Sequence, residues 1–460
     1  MSSSFLMEEF DFSIDLLALN KKDPARYPFL LESVATDPDT NRYDILFAFP
    51  QQNIQMATVG KVETNLENVS SINFLTALND WFQSESLKEA TSIELPFRGG
   101  WFLYLAYELA QEIEPVLNLP MNQTTQLPIA YACRIPAAII VDKVKQKTWC
   151  LAENEYSQYL PMLNQDVSSN ESIQQLNQID ISCHLKEEDP QRYLAAIQKI
   201  KKYIVEGDVF QVNLSRLWNI VLDQEISSSE LYAKLRTSNP APFSAFCCIN
   251  DVAILSSSPE RLISVKDNQI NTRPIAGTRP RKRDAAGKID SVADELLQEE
   301  LLAHPKERAE HVMLIDLERN DLGRLAVPGS VQVNELMVLE TYEHVHHIVS
   351  NVRAQLKPDV FPGDIIAATF PGGTITGCPK VRCMEIIAEL EQAPREAYTG
   401  SLGYLNRNGD MDLNILIRTI VRSGKELHIR AGGGIVLDSI AEKELMETQA
   451  KAKGMLNAVK

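Results

Sequence analysis

What most limits the fold of this chain is how its strand-like runs follow one another. Asp208–Leu217, Ser244–Ile249 and Ala253–Ser257 come in close succession. They follow a helix-patterned stretch, Pro190–Glu206, in which Tyr193, Ile197, Ile200 and Ile204 recur at spacings of three and four. Val331–Val338, Val345–Val352, Asn414–Val421 and Glu426–Ala431 repeat the pattern later, and Tyr43–Ala48 and Ala137–Val141 anticipate it. Helices enter as separate blocks: a long one from Ser291 to Leu314, ended by a turn at Arg319-Asn320-Asp321-Leu322-Gly323, one near Pro379–Glu391, and one from Ala441 onward. Sequence-adjacent strands joined by short turns, with helices inserted in blocks, predict an α+β fold built on large antiparallel sheets.

A polar interval from Asn164 to Glu187, rich in Asn, Gln, Ser and Asp, reads as a surface linker. It divides the chain into an N-terminal region 1–165, a linker 166–187 and a larger region 188–460. No window approaches the roughly 18–20 uninterrupted apolar residues of a membrane span, and the start turns acidic at Glu8-Glu9 without a basic segment, unlike a secretory signal. A formal net charge of −17 would repel nucleic acid and anionic membrane, so neither is an expected partner. Seven cysteines without CxxC spacing fit a reducing, cytoplasmic setting, with neither a disulfide framework nor a thiolate zinc site.

Chemistry concentrates in four places. Glu307 and Glu310 are three apart on one predicted helix and Glu444 and Glu447 three apart on the last, so each pair sets two carboxylates on one face. Facing each other they would suit Mg²⁺, although acidic pairs at this spacing are common on solvated helix faces. Phe370-Pro371-Gly372-Gly373-Thr374-Ile375-Thr376-Gly377-Cys378-Pro379-Lys380 is a glycine-rich loop opening a helix, a place where backbone amides can hold an anion or simply turn the chain. Gly432-Gly433-Gly434, after a strand, would let a carboxylate approach the backbone or form a bulge. In Tyr342-Glu343-His344-Val345-His346-His347, neighbouring histidines on a strand point to opposite faces. Without metal-ligand spacing they suit acid–base work or a structural role. Arg418 and Lys451 could hold carboxylates, and Lys451 could equally pair with Glu447 four residues before it.

These segments resemble the chorismate-utilising enzyme family, which includes anthranilate synthase component I and aminodeoxychorismate synthase component I. The resemblance runs in order across about 190–460. It is carried by Ser258-Pro259-Glu260-Arg261, Arg273-Pro274-Ile275-Ala276-Gly277-Thr278, Arg308-Ala309-Glu310-His311, Asp316-Leu317-Glu318-Arg319-Asn320-Asp321, His346-His347-Ile348-Val349-Ser350, Gly373-Thr374-Ile375-Thr376-Gly377, Ile417-Arg418-Thr419 and Ala431-Gly432-Gly433-Gly434-Ile435-Val436. It implies a sheet sandwich with helices outside and a smaller N-terminal region packed on the catalytic domain. It also implies Mg²⁺ on Glu310 and Glu447, supported by Glu307 and Glu444. The implied catalytic set is Glu260 as general acid with His347, Gln211, Ala276 and Thr278. Arg418, Lys451, Gly432, Gly433, Thr376 and Tyr404 would line the substrate.

Within the family, water-adding relatives usually carry a lysine base where this chain has Gln211, so the resemblance implies ammonia as nucleophile, delivered by a separate glutamine amidotransferase subunit. Asn41-Arg42-Tyr43-Asp44-Ile45, Ala241-Pro242-Phe243-Ser244-Ala245-Phe246 and Thr374-Ile375-Thr376-Gly377 look like the aminodeoxychorismate branch. Ala276 stands where that branch carries a nucleophilic lysine, and is what anthranilate synthases have. Leu30-Leu31-Glu32-Ser33 resembles a tryptophan-binding element, giving a candidate site of Leu31, Glu32, Ser33, Pro242 and Phe243. The expectation is C4 amination of chorismate; the alternatives are C2 amination to anthranilate, and a non-catalytic family member that binds a ligand or partner.

Overall fold

A computed structural model describes the chain except residues 1–3, 35–41, 67–70, 88–93, 123–125, 170–180, 283–287 and 342–344. Among the described residues the strands form two large sheets in which all the strand pairings are antiparallel. Phe29–Glu32 and Tyr43–Ala48 are neighbouring strands of the first sheet. Phe29, Ile45 and Phe47 enter one core while the alternating Leu30, Leu46 and Ala48 enter another, so the strands are covered on both faces and read as unbroken apolar runs.

Among the described residues the first sheet has twelve strands and runs from Phe5–Phe10 at one edge to Cys183–Glu187 at the other. Phe29–Glu32 pairs with Phe243–Ile249 in its middle, so strands from both sides of the polar interval share it. The second has eleven strands and joins Gly100–Leu105 to Ser401–Asn406 in the same way. The sheets face each other across an aromatic core, where Phe29 stacks on Phe102 with ring centres 4.0 Å apart and Phe47 meets Phe97 edge-on at 4.9 Å. Helices Leu16–Lys22, Ser228–Ser238 and Ala441–Ala458 cover the outside of the first sheet, and Phe74–Glu85, Pro305–Leu325 and Pro362–Thr369 cover the second. This is the α+β sandwich expected. Among the described residues no helix is long and apolar enough to cross a membrane, and all seven cysteines are free thiols.

Several local expectations need correction. The helix expected over 291–314 is two helices, Ser291–Ala303 and Pro305–Leu325, because a residue preceding proline is forced out of the helical region: His304 has ψ 112. The turn expected at 319–323 lies inside the second helix, which absorbs the cost of Gly323. Asn414–Val421 is divided between strands Met411–Asn414 and Thr419–Ser423, which belong to different sheets. The chain crosses between the sheets at 415–418, and Arg418 takes the left-handed φ of 52°. Gly432-Gly433-Gly434 does not follow a strand but lies within Glu426–Ile435, paired with Gln211–Leu222. The polar interval begins in helix Leu160–Ser168 and ends in the edge strand Cys183–Glu187, with 170–180 outside the described residues.

Candidate active site

The crossing at 415–418 brings both sheets to one place. Glu260 follows strand Val252–Ser258 of the first sheet, and its carbonyl accepts from the amide of Ile415 at 3.0 Å. Its carboxyl is buried, and Oε1 accepts from the Thr374 hydroxyl at 2.8 Å. Burial pushes this carboxyl up to about 7, although the Thr374 hydrogen bond and the charges of Lys451 and Arg418 oppose the rise. Burial in turn lowers Arg418, against the pull of Glu260. His347 is buried on strand Val345–Gln355, and burial, then the charges of Arg418 and His346, take it down to about 4, so it is neutral at physiological pH. His346 points away from it into a hydrogen bond with Asp294 at 2.9 Å and another with Thr341 at 2.9 Å.

The glycine-rich loop is clamped to strand Gln211–Leu222. The Asn213 amide donates to the carbonyl of Thr376 at 2.8 Å and its side-chain nitrogen to the carbonyl of Thr374 at 3.4 Å. Arg395 donates to the carbonyls of Ile375 at 3.2 Å and Asn213 at 2.7 Å. Three successive loop carbonyls are therefore held, which turns the Thr374 hydroxyl toward Glu260. Thr376, singled out in the sequence, instead gives its hydroxyl to the carbonyl of Gly372 at 2.9 Å.

The glycines of Glu426–Ile435 leave room on both faces. A methyl on Gly433 would lie 3.6 Å from Nζ of Lys451 and 3.7 Å from carboxylate oxygens of Glu444 and Glu447. A methyl on Gly432 would stand 2.8 Å from the hydroxyl of Tyr398, and one on Gly434 only 2.2 Å from Nε2 of Gln211. Only backbone separates the two sets. Lys451 donates to the carbonyl of Gly432 at 2.9 Å and pairs with Glu447 at 2.8 Å, so the plain ion pair and the position beside the glycines coexist. On helix Pro305–Leu325, Glu307 pairs with Arg279 at 3.2 Å, and Glu310 follows one turn later. Glu444 and Glu447 thus converge beside Gly433, with Glu447 shared with Lys451 and Glu307 with Arg279. Among the described residues no three His, Cys, Asp or Glu side chains form a ready-made metal cluster.

Strand Ile275–Pro280 pairs Ala276 with Ile348 and Thr278 with His347, which sets its backbone beside the histidine; the side chains of Ala276 and Thr278 are outside the described residues. The ring of Tyr404 packs in the inter-sheet core, 5.9 Å from Phe97 and 6.4 Å from Phe47. Tyr398, buried against Gly432, and Asn213 are the residues sequence reading missed. Alternation from Gln211 could have flagged Asn213; no local spacing marks Tyr398, whose contact spans distant segments. Leu31, Glu32, Ser33, Pro242 and Phe243 gather elsewhere. The Ser33 hydroxyl donates to the Pro242 carbonyl at 2.8 Å, and Glu32 pairs with Arg236 at 2.8 Å. Burial pushes Glu32 up to about 7 despite Arg236.

Comparison with known proteins matches the family model described as chorismate binding enzyme over residues 30–457. The chain is 41% identical to aminodeoxychorismate synthase component 1 of Bacillus subtilis, covering 84% of this chain and 82% of the relative. It is 34% identical to anthranilate synthase component 1 of Lactococcus lactis, covering 93% of each. The crystal structure of anthranilate synthase component I from Streptococcus pneumoniae superposes with a TM-score of 0.78 at 32% identity, covering 90% of this chain and 92% of that one.

Proposed function

The chain belongs to the chorismate-binding enzyme family, and from that premise we propose that it aminates chorismate with Mg²⁺ as cofactor and ammonia from a glutamine-hydrolysing partner subunit. Glu260 carries the reading. A carboxyl titrating near 7 still holds a proton at physiological pH and can give it to a departing hydroxyl. Arg418 and Lys451 act on the same carboxyl, so cations suited to a dianionic substrate stand beside the proton donor. Gln211, an amide, cannot take a proton from water, which favours a nucleophile that needs no base. Glu310 and Glu447, backed by Glu307 and Glu444, would hold Mg²⁺ through hard oxygen donors. When bound, the ion supplies charge neutralisation and Lewis acidity at the substrate's carboxylate and leaving hydroxyl. The partner is supported by the relatives' own names, in which this chain's counterpart is component 1.

Nitrogen at C4, giving aminodeoxychorismate, is the favoured outcome, supported by the 241–246 and 374–377 segments and the 41% relative. Nitrogen at C2, giving anthranilate, is the second reading, favoured by Ala276, which has no amine to occupy C2. Product analysis with chorismate, Mg²⁺ and ammonium, with and without aminodeoxychorismate lyase, separates them. 4-Aminobenzoate formed only with the lyase supports C4; anthranilate without it supports C2. No Mg²⁺-dependent turnover from folded protein would leave a non-catalytic binding role.

A further inference from the structure

Glu318, on helix Pro305–Leu325, is only 6% exposed, and the acid chemistry placed on Glu260 leaves it unused. A buried carboxyl keeps its charge only where cations or donors hold it. Lys380, the cation that faces it, is committed to Asp321, three residues further along the same helix, at 2.6 Å. The Thr272 hydroxyl also reaches it. That hydroxyl spends its hydrogen on the carbonyl of Leu262 at 3.1 Å, so it has little to offer an anion. Asp321 and Glu260 both set negative charge against Glu318. Burial first, then Asp321, pushes its carboxyl up to about 7 against Lys380 and Thr272.

The same carboxyl supports the glycine-rich loop. A methyl on Gly373 would lie 3.5 Å from Oε1 of Glu318 and would collide with Leu317, so these two helix residues fill the space against the turn Gly373–Ile375. The next residue of that turn is Thr374, whose hydroxyl goes to Oε1 of Glu260 at 2.8 Å. One turn of chain is therefore seated on one buried carboxyl and holds the other. An anion at Glu318 would need water, which reaches it only by displacing what covers it. We propose that Glu318 is a positioning residue for the acid: its neutral carboxyl seats the Gly373–Thr374 turn, and its ionisation sets a second negative charge near Glu260 and shifts the turn away. This role rests on Glu260 as the proton donor and is independent of whether C2 or C4 is aminated.

The test is the pH dependence of kcat/KM for chorismate from about pH 6 to pH 9. It uses the full chain with Mg²⁺ and a constant concentration of free ammonia, and compares wild type with Glu318→Gln and Glu318→Met. Two carboxyls must hold protons in wild type, so its alkaline limb should steepen toward about a hundredfold per pH unit, the slope of two coupled protons. A side chain that cannot ionise leaves Glu260 alone, and the limb should then fall about tenfold per unit. At about pH 9 the variant should keep at least tenfold more of its own pH 6 activity than wild type keeps of its. Loss of packing alone would lower the whole profile and leave its slope unchanged. A single-proton limb in wild type, or a two-proton limb kept by a folded variant, would overturn the role of Glu318 while Glu260 stands. Glu318→Met, also neutral, serves if the glutamine variant does not fold. Wild-type activity that does not fall with rising pH removes Glu260 as the donor, and the role of Glu318 with it.

Discussion

Replacing Thr374 by valine deletes the hydroxyl that touches Oε1 of Glu260 at 2.8 Å and keeps the branched shape of the side chain. The hydroxyl is a donor, so it favours the ionised carboxylate and holds the pKa of Glu260 below what burial alone would give. A hydrogen bond to a charged group is worth about 1.5–3 kcal/mol; at about 1.4 kcal/mol per pKa unit, its loss raises the pKa by about one to two units. With Glu260 as the proposed proton donor, activity is expected below its pKa and is lost as pH rises through it. The alkaline limb, near 7 in wild type, should therefore move upward in Thr374→Val. The assay is kcat/KM for chorismate from about pH 6 to pH 10, with the concentration of free ammonia, rather than total ammonium, held constant. An unmoved limb in a variant of wild-type Tm would refute the coupling of Thr374 to the acid. A limb moved downward would refute the assignment of Glu260 as donor.

Other outcomes follow from the same geometry. Glu310→Gln and Glu447→Gln should each abolish Mg²⁺-dependent turnover while circular dichroism and Tm stay near wild type; both retaining activity would remove the metal assignment. A methyl on Gly433 makes only ordinary contacts, at 3.6–3.7 Å, so Gly433→Ala should fold normally yet lose at least about tenfold in kcat/KM for chorismate, a loss of about 1.4 kcal/mol. Arg395 is almost fully buried and shares Glu391 with Arg430; Arg395→Leu should cost about 3–5 kcal/mol in urea unfolding, because it strips a buried carboxylate of its main partner. Burial raises both Glu260 and Glu318 to about 7. The stability tied to their protonated forms is fully present below about 4.3 and lost as pH rises through 7. Glu318→Gln should therefore flatten the fall in unfolding free energy between about pH 5 and pH 8.

Helix Pro190–Glu206 was legible because its signals are local: Asp189 caps its first turn, Pro190 fits that turn, and Gly207 ends it in the left-handed conformation. The division of 291–325 was legible in principle, since Pro305 dictates it. The order of the sheets was not. Phe29–Glu32 finds Phe243–Ile249 more than 200 residues away, and a continuous apolar run states that a strand has two buried faces without naming its neighbours. The same limit hid the contact of Tyr398 with Gly432 and the core packing of Tyr404. Tyr398 is buried and Tyr404 partly buried, on either side of the start of strand Ser401–Asn406, and only the tertiary fold sends one to Gly432 and the other between the sheets.

In the proposed reading, Arg418 is what lets an acidic chain receive an anion. Its residue lies where the backbone leaves one sheet for the other, in a left-handed turn that neither strand could contain. Burial there lowers its affinity for a proton, and Glu260 restores part of it, so its charge is held by the fold and weakly screened. A charge in that setting acts far more strongly at short range than the net charge of −17 spread over a solvated surface. On the proposed reading, the surface charge therefore sets what the protein repels, and the seam between the sheets sets what it can bind.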